Sequence, residues 1–305
     1  MNGDRVLRVR VVDVFTTRPF GGNPLGVVLD AQGLSDAEMQ AIAHEFNLSE
    51  TTFVFPPTAP DADYRMRIFT PARELPFAGH PSVGTAFLLA EEGVLPLRGA
   101  VTTVQQELAI GVLPLEIHAV DGRPVHVVMT QGRPELGETY AEPDVAALLA
   151  ALNLGRDDPR DDLPVQVAST GIGSLLVPLR DLDALGRIEP DARALKAVRG
   201  MAALSGVYLF VLGDGAVRSR FFMPGIGGAE DPATGSATGA LGAYLYAHDA
   251  LPKSGVALRF TTTQGVEMGR PSEIAVEVDG DGVAPREVRV GGHAITVTRG
   301  EMRLE

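Results

Sequence analysis

The segment Asn47-Leu-Ser-Glu50 places a carboxyl between an amphipathic helix pattern and the short apolar strand pattern Thr52-Phe-Val-Phe55. A carboxyl at the mouth of a strand, partly removed from water and near other acids, has a raised pKa and can exchange protons near neutrality. The same spacing suits a solvated residue closing the helix, and spacing alone does not separate the two. Two more titratable residues precede prolines: His80 in Gly79-His-Pro-Ser-Val-Gly-Thr-Ala86, and Asp231 in Glu230-Asp-Pro-Ala-Thr-Gly-Ser-Ala237. Aligned at a shift of 230 − 79 = 151, the motifs match in Pro, Gly and Ala, and His80 falls opposite Asp231. That alignment pairs a proton donor/acceptor with a carboxylate, expected to face each other. Taken singly, His80 has a plainer role as a turn residue and Asp231 as a helix N-cap.

Both motifs are expected to open helices, because proline suits a first helical turn, where its missing N–H is not needed. A helix start presents unpaired N–H groups and a positive dipole end. Two such starts aimed at one cleft would receive a carboxylate or a developing enolate oxygen. The local backbone field then admits an anionic substrate despite a formal net charge of −13.

The elements that must position these groups form an internal repeat, residues 35–90 and 190–245. Each copy starts with a helix pattern, Ser35 to Phe46 with capping-box spacing between Ser35 and Glu38, and Pro190 to Arg199. The strand patterns Thr52–Phe55 and Arg65–Pro71 recur as Val207–Phe210 and Arg218–Pro224. At the first strand's shift of 207 − 52 = 155, Glu50 aligns with Ser205 and has no acidic counterpart. Short β-type runs such as Val125–Met129, Leu175–Leu179, Ala257–Thr263 and Ile274–Val278 fill the remainder. The expected fold is α+β, with two pseudo-symmetric lobes, each a curved, mostly antiparallel sheet or barrel around a central helix. Residues 1–118 form the N-terminal lobe and 119–293 the C-terminal lobe, with the final strand, 294–305, able to pack on either.

Several function classes are excluded or disfavoured. A charge of −13 with no Lys/Arg block opposes nucleic acid and anionic membrane surfaces. The amino terminus carries no signal-type apolar core and no 18-residue apolar run follows, so a cytoplasmic protein is expected. With no cysteine there is no disulfide, thiolate metal site or thiol nucleophile. The six histidines show no metal-ligand spacing, so no metal is expected. The glycine-rich stretch Gly225–Ser236 lacks both the Gly-Lys-Ser/Thr ending of a phosphate loop and dinucleotide spacing. No Gly-x-Ser-x-Gly elbow occurs.

These motifs resemble a known family, the PhzF-like proteins of phenazine biosynthesis, built on the diaminopimelate-epimerase fold. The resemblance rests on Gly22-Asn-Pro24, Asn47-Leu-Ser-Glu-Thr51, Glu74-Leu-Pro-Phe-Ala-Gly-His-Pro81 and Glu230-Asp-Pro-Ala-Thr-Gly-Ser-Ala237, in that order. It spans nearly the whole chain, with nothing diagnostic in residues 119–170 and 245–305. It implies two lobes closing on one site, a homodimer and no cofactor. It also implies an isomerase acting on a small cyclic or conjugated carboxylate, as in the isomerisation of trans-2,3-dihydro-3-hydroxyanthranilate. Glu50 matches the proton-shuttling glutamate, and His80 and Asp231 match the other polar catalytic residues. Asn23, Ser49, Gly79, Thr234, Gly235 and Ser236 fall at positions expected to bind substrate. Epimerase and racemase branches of this fold use two facing thiols, which a chain without cysteine cannot supply. A single glutamate taking and returning the proton on one face suggests isomerisation rather than stereoinversion. The alternative is a non-catalytic small-molecule-binding or regulatory protein on the same fold; the presence of Glu50, His80 and Asp231 together favours the enzyme.

Overall fold

The computed structural model describes residues 5–213, 216–226 and 229–304. The chain divides into two compact units, Met1–Met129 with Gly291–Glu305, and Thr130–Val290.

In the first unit the chain runs β1 (Arg5–Val14), β2 (Asn23–Val28), α1 (Asp36–Phe46), β3 (Glu50–Phe55), β4 (Tyr64–Phe69) and β5 (Glu74–Leu75). It continues through α2 (Gly79–Glu91), β6 (Val101–Leu108), β7 (Gly111–Val120) and β8 (Arg123–Thr130). Ser35 and Glu38 form the expected capping box, and α1 turns Met39, Ile42 and Ala43 inward. Because α1 carries the chain back, β2 and β3 pair in parallel; β3 and β4 then form an antiparallel hairpin. β4 continues the sheet, antiparallel to β5 and parallel to β6. Every residue of α2 from His80 to Ala90 is buried, so this helix has no solvent face and packs against β1, β2, β3 and β7. Gly84 permits the approach: a Cβ there would lie 2.6 Å from Val14 and 2.8 Å from Leu25.

The second unit runs β9 (Glu135–Thr139), α3 (Asp144–Ala151), β10 (Gln166–Ser169), β11 (Gly173–Leu179), α4 (Leu182–Gly186) and α5 (Ala192–Ala197). After these come β12 (Val207–Leu212), β13 (Val217–Met223), β14 (Ala229–Asp231), α6 (Gly235–Ala247), β15 (Ala257–Gln264), β16 (Ser272–Gly280) and β17 (Pro285–Gly292). The chain then returns to the first unit as β18 (Ala294–Leu304), antiparallel to β1. The first unit's pairing order recurs within the second: β11 parallel to β12, β12 antiparallel to β13, and β13 antiparallel to β14 but parallel to β15. The buried α6 is, like α2, 13 residues long. Both units are mixed α+β, mostly sheet with few helices. No helix among the described residues is long and apolar enough to cross a membrane.

The strand registers correct the alignment read from sequence. Phe69 pairs with Glu74 and Phe222 with Glu230, and the cation over each ring, Arg67 or Arg220, lies two residues earlier. Glu74-Leu-Pro-Phe-Ala-Gly79 therefore corresponds to Glu230-Asp-Pro-Ala-Thr-Gly235, a shift of 230 − 74 = 156. The sequence shift of 151 had matched Pro232 with Pro81, whereas its counterpart is Pro76. In consequence α6 starts at Gly235, and Pro232 lies in the loop before it rather than in its first turn. His80 corresponds to Ser236 and Asp231 to Leu75, so His80 and Asp231 are not repeat equivalents. The pairs Thr51 with Phe69 and Val207 with Phe222 likewise make Gly206, not Ser205, the counterpart of Glu50.

Each arginine also grips its short strand. Arg220 donates from Nε and Nη2 to the Glu230 carboxylate, both at 2.8 Å, while Nη1 donates to the Leu185 and Ile188 carbonyls. Arg67 makes the same two-point contact with Glu74, at 2.6 Å for each nitrogen. Forked pairs of this kind fix orientation as well as distance. Deleting one partner of a buried pair strands the other charge. Arg220→Ala is expected to lose about 3–5 kcal/mol in urea unfolding. Arg8→Ala, which breaks the half-exposed pair with Asp30, should lose less than about 1 kcal/mol. Similar losses for the two variants would contradict this account of β14.

Candidate active site

In the first unit three elements converge on Glu50. α1 ends at Asn47 in the left-handed conformation (φ 49°), the chain bends through half-buried Ser49, and Glu50 opens β3. Parallel pairing sets Leu25 opposite Glu50, which brings the start of β2, with fully buried Asn23, to the same end of the sheet. His80 is the second residue of α2, and its Nδ1 lies 3.2 Å from Oε2 of Glu50. The N-cap residue, Ala78, has no side chain able to cap the first-turn N–H groups that begin at Gly79.

Burial controls the imidazole. His80 is 6% exposed, and desolvation pushes its pKa down to about 3. The ring is therefore neutral at pH 7, with Nδ1 the nitrogen nearer the Glu50 carboxyl. Nε2 is buried without a hydrogen-bond partner among the described residues. A neutral imidazole can steady a carboxylate without permanently neutralising it.

The second unit holds a different set of polar residues. Asp231 ends β14 and is buried, four residues before α6. The Thr234 hydroxyl donates to Oδ2 of Asp231, so the N-cap side chain serves that carboxylate instead of the helix N–H groups. Gly235 is buried and Ser236 half-buried in the first turn, where the Ser236 carbonyl accepts a long 3.4 Å contact from Thr170 Oγ1. Gln264, at the end of β15, completes this group by hydrogen bonds to Thr234 and to the Asp231 backbone. The sequence reading passed over Gln264 because no motif or spacing rule marks it. Of the glycine-rich stretch, Gly227 and Gly228 lie outside the described residues. Among the described residues no three His, Asp or Glu side chains are grouped as metal ligands.

The fold and these acid, imidazole and helix-start residues define a class: two-unit α+β proteins with a half-buried glutamate at a strand mouth. The chain belongs to the phenazine biosynthesis-like protein family, whose sequence model matches residues 12–300. The trans-2,3-dihydro-3-hydroxyanthranilate isomerase of Pseudomonas aeruginosa is 38% identical over 300 residues, covering 97% of this chain and 99% of that protein. An uncharacterised isomerase of Escherichia coli K12 is also 38% identical, covering 96% of this chain and 97% of its own. A solved PhzF-family phenazine biosynthesis protein from Bacillus anthracis superposes with a TM-score of 0.86 at 30% identity, over 99% of each chain.

The depressed His80 pKa fixes the sign of a pH effect. Below about 6.5 the unfolded chain takes up the proton that folded His80 refuses, so stability present above that pH is lost as pH falls toward 3. Nitrogen-15 spectra of the His80 ring should keep a neutral, single-tautomer signature from about pH 8 to pH 5. A ring protonated at pH 6 would contradict the buried, neutral role.

Proposed function

We propose that this protein is a proton-shifting isomerase of a small cyclic or conjugated carboxylate, with Glu50 as general acid and base. The observation that carries the reading is the buried, neutral His80 set against Glu50, at positions where the second unit has Ser236 and Gly206. The relatives named as isomerases cover nearly the whole chain and supply the reaction class.

In the proposed step, a C–H bond activated by conjugation breaks and its proton passes to Glu50. The electron pair spreads through the conjugated system toward the carboxylate. A new C–H bond then forms further along that system with the proton from Glu50, which regenerates the carboxylate with no net oxidation or reduction. His80 holds Glu50 through Nδ1, while Asp231 orients the substrate. Asn23, Ser49, Thr234 and the amides at Gly79, Gly235 and Ser236 bind it and absorb developing negative charge, help that commonly contributes most to rate. No cofactor is needed for this exchange of one proton. The substrate is proposed to be a small anion, and the active form a cytoplasmic homodimer with no nucleic-acid or membrane partner.

The test is Glu50→Gln, assayed with trans-2,3-dihydro-3-hydroxyanthranilate and a panel of conjugated carboxylates in deuterated water. The folded variant should bind ligand but lose turnover by about 10²-fold or more. Turnover at the wild-type rate would overturn the assignment of Glu50.

A further inference from the structure

The two units share the parts that build a buried helix and differ sharply at three neighbouring positions. Tyr64 pairs with Gln106 and Val217 with Thr262, so two residues further on Leu108 corresponds to Gln264. With Leu75 matched to Asp231 and the N-cap Ala78 to Thr234, the apolar set Leu75, Ala78 and Leu108 is replaced by Asp231, Thr234 and Gln264. The first unit shows that the fold forms with apolar residues there. The polar set is therefore not required by the architecture.

We propose that Gln264 is a positioning residue for Asp231, acting through Thr234; the proposal rests on the reading of Asp231 as a site residue. Gln264 is fully buried, and two backbone groups fix which way its amide points. Oε1 accepts from the Thr234 N–H at 3.2 Å, and Nε2 donates to the Asp231 carbonyl at 2.7 Å. Nε2 also donates to Thr234 Oγ1 at 3.1 Å. The threonine hydroxyl thus accepts from Gln264 and spends its single proton on Oδ2 of Asp231. One carboxylate oxygen is thereby held from within the unit, and the direction of the carboxyl is set by an amide that does not touch substrate. The following turn seats the group firmly: Gly265 has φ +76°, a Cβ there would lie 2.6 Å from the Pro232 carbonyl oxygen, and Ser272 Oγ donates to that oxygen at 2.8 Å. Since buried polar networks hold one geometry only when every member is paired, breaking one member should misplace the carboxylate.

Gln264→Leu, Gln264→Glu, Asp231→Asn and the double variant Asp231→Asn/Gln264→Leu test this, with trans-2,3-dihydro-3-hydroxyanthranilate as probe. Gln264→Leu should lower kcat by about 10²-fold with KM little changed, the signature of a displaced group rather than a lost binding contact. The double variant should be no slower than Asp231→Asn alone. Relative to the wild type, Gln264→Glu should recover in part as pH falls, because a protonated carboxyl restores an acceptor for the Thr234 N–H and one of the two donors the amide supplies. That pH profile decides the matter if Gln264→Leu does not fold. Wild-type turnover by Asp231→Asn would overturn the reading of Asp231 and Gln264's role with it. A slow Asp231→Asn beside a wild-type kcat for Gln264→Leu would overturn Gln264 alone. So would a double variant slowed by the product of both effects, or a Gln264→Glu profile parallel to the wild type.

Discussion

A helix buried on all sides is placed only as well as the few residues that lead into it, and here those residues are strands of two and three residues. Such strands have too few ladder hydrogen bonds to hold themselves in register. In both units a forked arginine–carboxylate pair does that work, with the guanidinium over a phenylalanine ring of the neighbouring strand. The exposed bonding groups of each helix start, and the side chains carried beside them, are fixed as a result. His80 follows Glu74 by six residues and Asp231 follows Glu230 by one, so both take their positions from these grips.

Within that shared frame the proposed chemistry falls at the departures from symmetry. The first unit has Asn23, Glu50 and His80; the second has Asp231, Thr234, Gln264 and Ser236. A duplicated architecture supplies two similar helix starts, and substitution at a few positions converts one into an acid–imidazole pair and the other into a carboxylate held by an amide and a hydroxyl. An acid without an acidic counterpart suits a reaction in which one group both removes and returns a proton.

Much of this was legible in the sequence because the relevant signals are local. Ser35 and Glu38 announce α1, short apolar runs announce β3 and β12, the recurring Arg-x-Arg runs Arg65–Pro71 and Arg218–Pro224 announce β4 and β13, and the small and apolar run after Gly235 announces a buried helix. The error in register arose because Glu74-Leu-Pro-Phe-Ala-Gly-His-Pro81 holds two prolines, and only the pairing of Phe69 with Glu74 shows which of them corresponds to Pro232. That information is tertiary. The side for β18 was open for the same reason, until its pairing with β1 placed it in the first unit. Gln264 was invisible because its meaning lies in its contrast with Leu108, at equivalent places in parallel pairs between strands far apart in the chain.

The central claim is that one carboxyl on one face moves the proton. The most direct measurement is the stereochemistry of the shift, read by following a substrate with defined configuration at the reacting carbon through turnover in deuterated water. The account predicts that the proton leaves from, and the deuteron arrives on, the same face of the substrate. Delivery to the opposite face would require a second acid and would contradict a mechanism run by Glu50 alone.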